Sequence, residues 1–186
     1  MIEDLKHFCE LHQGQYQERK YWYSPRAIIT YNQYEIIFDW YIKYRHVENV
    51  TMKGTDARIF TSLEMLHPIK FEIRSKGFLD GLVNMVKGKR KLKLADESLN
   101  QQYNIASNQN NQLMKLLTPE ILHYIQSMNS IEVFTTEQYG IWERPHLDGK
   151  MDLAATYSEM NLKTMEENLK LFKLLIDQMK NLNWIQ

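Results

Sequence analysis

Arg26-Ala-Ile-Ile-Thr-Tyr-Asn-Gln-Tyr-Glu-Ile-Ile-Phe-Asp-Trp-Tyr-Ile42 is the stretch on which the fold turns. Aromatic and β-branched residues dominate it, and Tyr34, Ile36, Phe38 and Trp40 recur at every second position, the period of a pleated strand. The segment predicts strands over 26–31 and 34–42, with a hairpin turn at Asn32-Gln33 between them. The same texture fills Gln15 to Arg74, which makes that whole region sheet-forming. At its end Ile69, Phe71 and Ile73 alternate with Lys70, Glu72 and Arg74. Such alternation requires one buried and one wet face, as in an antiparallel sheet covered on one side.

Helical spacing frames this region. Ile2, Leu5, Phe8, Cys9 and Leu11 predict a short amphipathic helix that Gly14 stops. Phe78, Leu82, Val83 and Val86 predict another over 78–87, ended by Gly88 and followed by a short strand over 91–94. A strand over 103–107, a helical turn at Leu113, Leu116 and Leu117, and a helix opened by Thr118-Pro119 come next. Threonine as N-cap with proline at the first helical position is a physically sound start. Ile121, Leu122, Ile125 and Met128 line that helix, and strands follow over 130–136 and 138–144. Thr156-Tyr-Ser-Glu159 reads as a capping box that opens the longest helix, running to about Lys180. At about 25 residues that helix would be about 38 Å long. The fold class is therefore α+β: a mainly antiparallel, aromatic-rich sheet, helices packed on one face and a long C-terminal helix, in a single domain spanning 1–186.

Leu94-Ala-Asp-Glu-Ser-Leu-Asn-Gln-Gln-Tyr-Asn-Ile-Ala-Ser-Asn108, followed by Leu116-Leu117-Thr118 and an apolar helix, resembles a pattern in certain uncharacterised bacterial domains. The resemblance covers the chain from Lys91 onward. It implies an α+β fold and a bacterial origin, and it implies no activity. Those domains are often attached to membrane segments, and none is read in this sequence.

Lys plus Arg and Asp plus Glu are both 23, so the molecule as a whole has no long-range attraction to phosphate backbones or anionic lipid. Nucleic acid is not an expected partner. The only cysteine, Cys9, excludes an intramolecular disulfide and fits a reducing compartment. The first residues carry Glu3, Asp4, Lys6, His7 and Glu10 among apolar positions, unlike a signal peptide, and no apolar run approaches the ~20 residues of a membrane helix. The expected location is the cytoplasm.

Four features compete as sites. Eleven of the 22 aromatic residues lie in the first 50 positions, more than one buried face requires. Trp22, Tyr34, Phe38, Trp40 and, further on, Trp142 are the candidate lining of an aromatic surface that holds an apolar small molecule or a protein partner. The plainer alternative is a core built from large residues. Lys87, Lys89, Arg90, Lys91 and Lys93 are a candidate anion site, although Lys91 and Lys93 alternating with Leu92 and Leu94 equally describe a solvated edge strand. Met165, Leu169, Phe172, Ile176 and Met179 form a heptad-like stripe that would serve either a homodimer or burial within the domain. His146, Asp148 and Asp152, in a turn-like segment around Gly149, are the least poor metal-ligand set, matching no established spacing.

The other histidines are scattered singly, and no nucleophile elbow, phosphate loop, dinucleotide turn or Cys-x-x-Cys is present, so no catalytic residue and no cofactor are assigned. The expectation is a non-catalytic ligand- or protein-binding module. The alternatives are a motif-less enzyme, perhaps a metal-assisted hydrolase, and binding to anionic surfaces through 87–93.

Overall fold

A computed structural model describes residues 1–19, 24–47, 50–76, 90–128, 130–137 and 150–186, and of residues 42–47, 50–53 and 90 it describes the backbone alone. The elements are α1 (Ile2–Leu11), β1 (Gln15–Gln17), β2 (Arg26–Tyr31), β3 (Tyr34–Val47), β4 (Val50–Glu64), β5 (Phe71–Ser75), β6 (Arg90–Lys91), α2 (Glu97–Gln102), β7 (Tyr103–Ser107), α3 (Asn110–Leu116), α4 (Pro119–Ser127), β8 (Ile131–Thr136), β9 (Lys150–Tyr157) and α5 (Leu162–Asn181). The α+β expectation holds. Nine strands form one sheet in the order β1-β2-β3-β4-β9-β8-β5-β7-β6, and every pairing is antiparallel. The expected helix over 78–87 and strand over 138–144 lie outside the described residues.

Register sorts the side chains onto two faces. On the inner face Ala27, Ile29, Ile36, Phe38, Ile59, Leu63, Leu153, Ala155, Val133, Ile73 and Ile105 are buried beneath the helices. α1 meets this face through Phe8, whose ring lies edge-to-face against Phe38 at 4.8 Å between centroids. α4 reaches it over β7, where the Tyr103 hydroxyl donates to the Ile125 carbonyl at 2.8 Å. Burial of each large apolar side chain contributes about 1.5–3 kcal/mol, so this face is the main source of stability.

The outer face is not simply wet, as alternation alone predicts. Asp39, Phe60, Asp152 and Ala154 are all buried there. One row across it reads Phe60, Ala154, Phe134, so an alanine of the central strand β9 sits between two phenylalanines. Small beside large is how cross-strand neighbours fill a pleated surface. β9 was not expected, because Leu153-Ala-Ala-Thr156 has weak strand propensity by itself.

Two local expectations change. The capping box at Thr156–Glu159 does not exist, since Thr156 and Tyr157 complete β9 and pair with β4 and β8. α5 begins after Asn161, whose side chain accepts the Thr164 N–H at 3.0 Å while Thr164 Oγ1 accepts the Asn161 N–H at 3.1 Å. The helix accordingly has 20 residues and is about 30 Å long. Gly14 is fixed by space rather than by helix termination: a Cβ there would lie 2.8 Å from the Ile28 carbonyl oxygen, while the reversal itself falls on Gln13 at φ 51°. The Thr118-Pro119 start of α4 is as expected, with Thr118 accepting the Ile121 N–H.

Among the described residues no helix is long and apolar enough to cross a membrane.

Candidate functional site

The aromatic candidates separate by face and by element. Phe38 is 0% exposed in the core, and Tyr34 is buried with its hydroxyl donating to the Gln186 carbonyl. Gln33 Nε2 donates to that same carbonyl at 2.7 Å, and burial pushes the Tyr34 phenol pKa up. Trp40 is half-buried against the core. Trp22 and Trp142 lie outside the described residues. The space between sheet and α5 is occupied by Met165, Leu169, Phe172, Ile176 and Met179, all buried. That stripe therefore packs within its own chain, which removes it as an exposed dimer seam.

Of the basic set, Lys91 and Lys93 are exposed at the β6 edge while Leu92 and Leu94 are buried; Lys87 and Lys89 lie outside the described residues, and only the backbone of Arg90 is described. Of the metal set, His146 and Asp148 lie outside the described residues. Asp152 is not in a turn but inside β9, buried and accepting a hydrogen bond from the Ser62 hydroxyl at 2.6 Å. Among the described residues no group of three metal-ligating side chains converges.

The feature that the strand order exposes is the length of β3 and β4. β2 stops pairing with β3 at Phe38, and β9 stops pairing with β4 at Ala57. β3 and β4 continue together for seven further pairs, from Tyr41↔Asp56 to Val47↔Val50. At about 3.3 Å per residue, this two-stranded ribbon runs roughly 23 Å past the last described pairing of β2 and β9. Among the described residues neither of its edges pairs with another strand. Its sequence includes Lys43, Arg45 and Lys53 against Asp56.

The root of the ribbon is fastened by charge and by a serine. Asp39, fully buried, accepts hydrogen bonds from Arg58 at 2.8 Å to each carboxylate oxygen, from Arg19 Nη2 at 3.1 Å and from Arg26 Nε at 3.2 Å. The Arg58 guanidinium also lies 4.6 Å from the centroid of the Phe60 ring, and that of Arg26 lies 5.5 Å from it. These four charged residues come from β2, β3, β4 and the segment before β2. Beside them the Ser24 hydroxyl donates to the Trp40 carbonyl at 2.6 Å and accepts the Trp40 N–H at 3.1 Å. A side chain thus takes over the ladder bonds of β3 where Pro25 and the end of β2 leave them unmet. Arg19 ties the two arrangements together by donating from Nε to the Ser24 carbonyl at 2.5 Å.

Sequence reading missed this assembly. Asp39 looks like the polar residue of a half-wet strand, and its arginines stand at 19, 26 and 58 with no local spacing. It missed also the pair His12 and Glu166, whose Nε2 and Oε1 lie 2.7 Å apart across 154 positions at the edge of a cleft formed by α1, α4 and α5. Comparison of the chain with protein-family models, with curated proteins and with solved structures finds no match.

Proposed function

We propose that this chain is a non-catalytic protein-binding module whose recognition element is the β3–β4 ribbon. The partner adds an extended, acidic segment to a ribbon edge as a further strand. The observation that carries this reading is the run of seven backbone pairs beyond the last pairing of either neighbour. An edge of this kind presents a row of main-chain donors and acceptors, and added strands draw affinity from them. Lys43, Arg45 and Lys53 give the ribbon's sequence a positive balance, which favours an acidic partner strand.

The root supports the same reading. Burying a carboxylate among guanidiniums rarely improves stability over an apolar packing, and its attested use is to specify one geometry among several. Here the geometry so specified is the direction in which the ribbon leaves the sheet. An anchored ribbon loses less conformational entropy on binding than a loose one.

An enzymatic reading draws support from His12 and Glu166 alone. Ser127 borders the same cleft, but its hydroxyl donates to the Tyr124 carbonyl at 2.8 Å. Binding of anionic surfaces near Lys91 and Lys93 draws support from their exposure.

The test is affinity capture from a cell extract at low and high salt, with the full chain and with a Lys43→Glu, Arg45→Glu, Lys53→Glu variant. Proteins retained by the first and lost by the second, with the melting temperature of the two within a few degrees, are the expected result. Identical capture by both, or none by either, would refute the reading.

A further inference from the structure

The cleft between α1, α4 and α5 has a volume of about 480 Å³ and is bordered by His12, Tyr124, Ser127, Glu166, Lys170 and Lys173, among others. Its charges are unevenly matched. Glu166 is held by His12 at 2.7 Å, and Glu167 faces Lys163 on its own helix at 3.8 Å. The two lysines have tyrosine rings as neighbours instead: Lys170 Nζ lies 5.6 Å from the centroid of Tyr124, and Lys173 Nζ lies 5.2 Å from that of Tyr31. Among the described residues neither lysine is in ion-pair contact with a carboxylate. The hydrogen bond with Tyr124 pushes the Lys170 pKa up. Tyr31 is itself fixed, its hydroxyl donating to Asp177 at 2.7 Å.

A ring near an ammonium attracts it by its quadrupole, and a lysine ammonium has three N–H donors, of which the Tyr124 hydroxyl takes one at Lys170. Lys170 and Lys173 are three residues apart and so project from one face of α5. Two cations thus stand side by side at a concavity where Glu166 meets His12, Glu167 meets Lys163, and the Tyr124 ring lines the wall beside Lys170. We propose that this cleft binds a small organic anion, a phosphate monoester or a carboxylate, with its charge between Lys170 and Lys173 and its body against Tyr124. Lysine is a compact point charge and does not select between the two anions by geometry as a guanidinium fork does.

The probes are phenyl phosphate and phenylacetate, titrated in parallel into the full chain by calorimetry at low ionic strength. Saturable binding of one or both is expected, and which of them saturates names the anion. Lys170→Met and Lys173→Met should each weaken binding about tenfold, the loss of one charge-assisted hydrogen bond. Lys70→Met changes a lysine that is 47% exposed, pairs with Glu137 and does not border the cleft, and it should leave affinity unchanged. No saturable binding of either probe, or an equal loss in Lys70→Met, would overturn the assignment. The ribbon variant retains this binding if the two readings are independent.

Discussion

Tyr157 shows how much a single atom can weigh. It stands at the end of β9 on the inner face, buried, and its hydroxyl has no hydrogen-bond partner among the described residues. Burial first, and the Asp39 charge second, hold its phenol pKa far above the ordinary value. Below about pH 10 the folded and unfolded chains both keep the proton, and the group adds no pH dependence. As pH rises past that value the unfolded chain ionises while the folded chain does not, so stability falls. Tyr157→Phe removes both the orphaned hydroxyl, whose desolvation is unfavourable by about 1–3 kcal/mol, and this alkaline penalty. The variant should be at least as stable at pH 7 and increasingly more stable above pH 10 in urea titrations. A loss of more than about 1 kcal/mol at pH 7 would mean that the hydroxyl is satisfied after all. Sequence could place Tyr157 no better than it placed Asp39. The alternation that locates a strand says nothing about which polar group is buried, because that depends on what packs against it from distant positions.

Elements were legible where their signal was local. The hairpin at Asn32 was readable because asparagine tolerates the positive φ, here 54°, that the turn requires. The start of α4 was readable because its cap and its proline are adjacent. β4 went unnamed because Gly54, Asp56 and Arg58 interrupt its apolar residues, and α2 because Glu-Ser-Leu-Asn-Gln-Gln offers a single apolar position, Leu99. The α5 start was misplaced because two overlapping patterns, Thr156 to Glu159 and Asn161 to Thr164, both suit a helix cap. Only strand pairing from either side of Thr156 decides between them. The distinction is measurable. Asn161→Ala should destabilise by about 1 kcal/mol, while Thr156→Val, which keeps strand shape, should fall within about 0.5 kcal/mol. Equal effects in chemical denaturation would contradict the assigned cap.

At the scale of the whole molecule, the chain after α5 closes the structure. Trp184 and Ile185 are buried, Leu66 N–H donates to the Trp184 carbonyl at 2.7 Å, and Met65 forms a bridge with Ile185. Together with Gln33 and Tyr34 on Gln186, these contacts bind the last residues to the β2–β3 turn and to the end of β4. Trp184→Ala should therefore cost about 3–5 kcal/mol, seen as a parallel loss of helix and tertiary signals in urea unfolding. A change confined to local fluorescence would indicate a loosely attached tail. The α+β class and the covered face could be read from periodicity. The strand order could not, because it rests on the pairing of β4 with β9, which residue spacing does not encode.

That same seam sets the order of events during synthesis. β1 to β4 can pair as soon as residue 64 has emerged, and β5, β7 and β8 form a second group from 71 to 136. Among the described residues the two halves have no common ladder until residues 150–157 arrive and insert between β4 and β8. Until then both halves present raw strand edges to everything else in the cell, and non-local pairing of this kind forms slowly. The last described strand to be made is the central one, so a chain truncated before residue 150 carries two half-sheets with no described ladder between them.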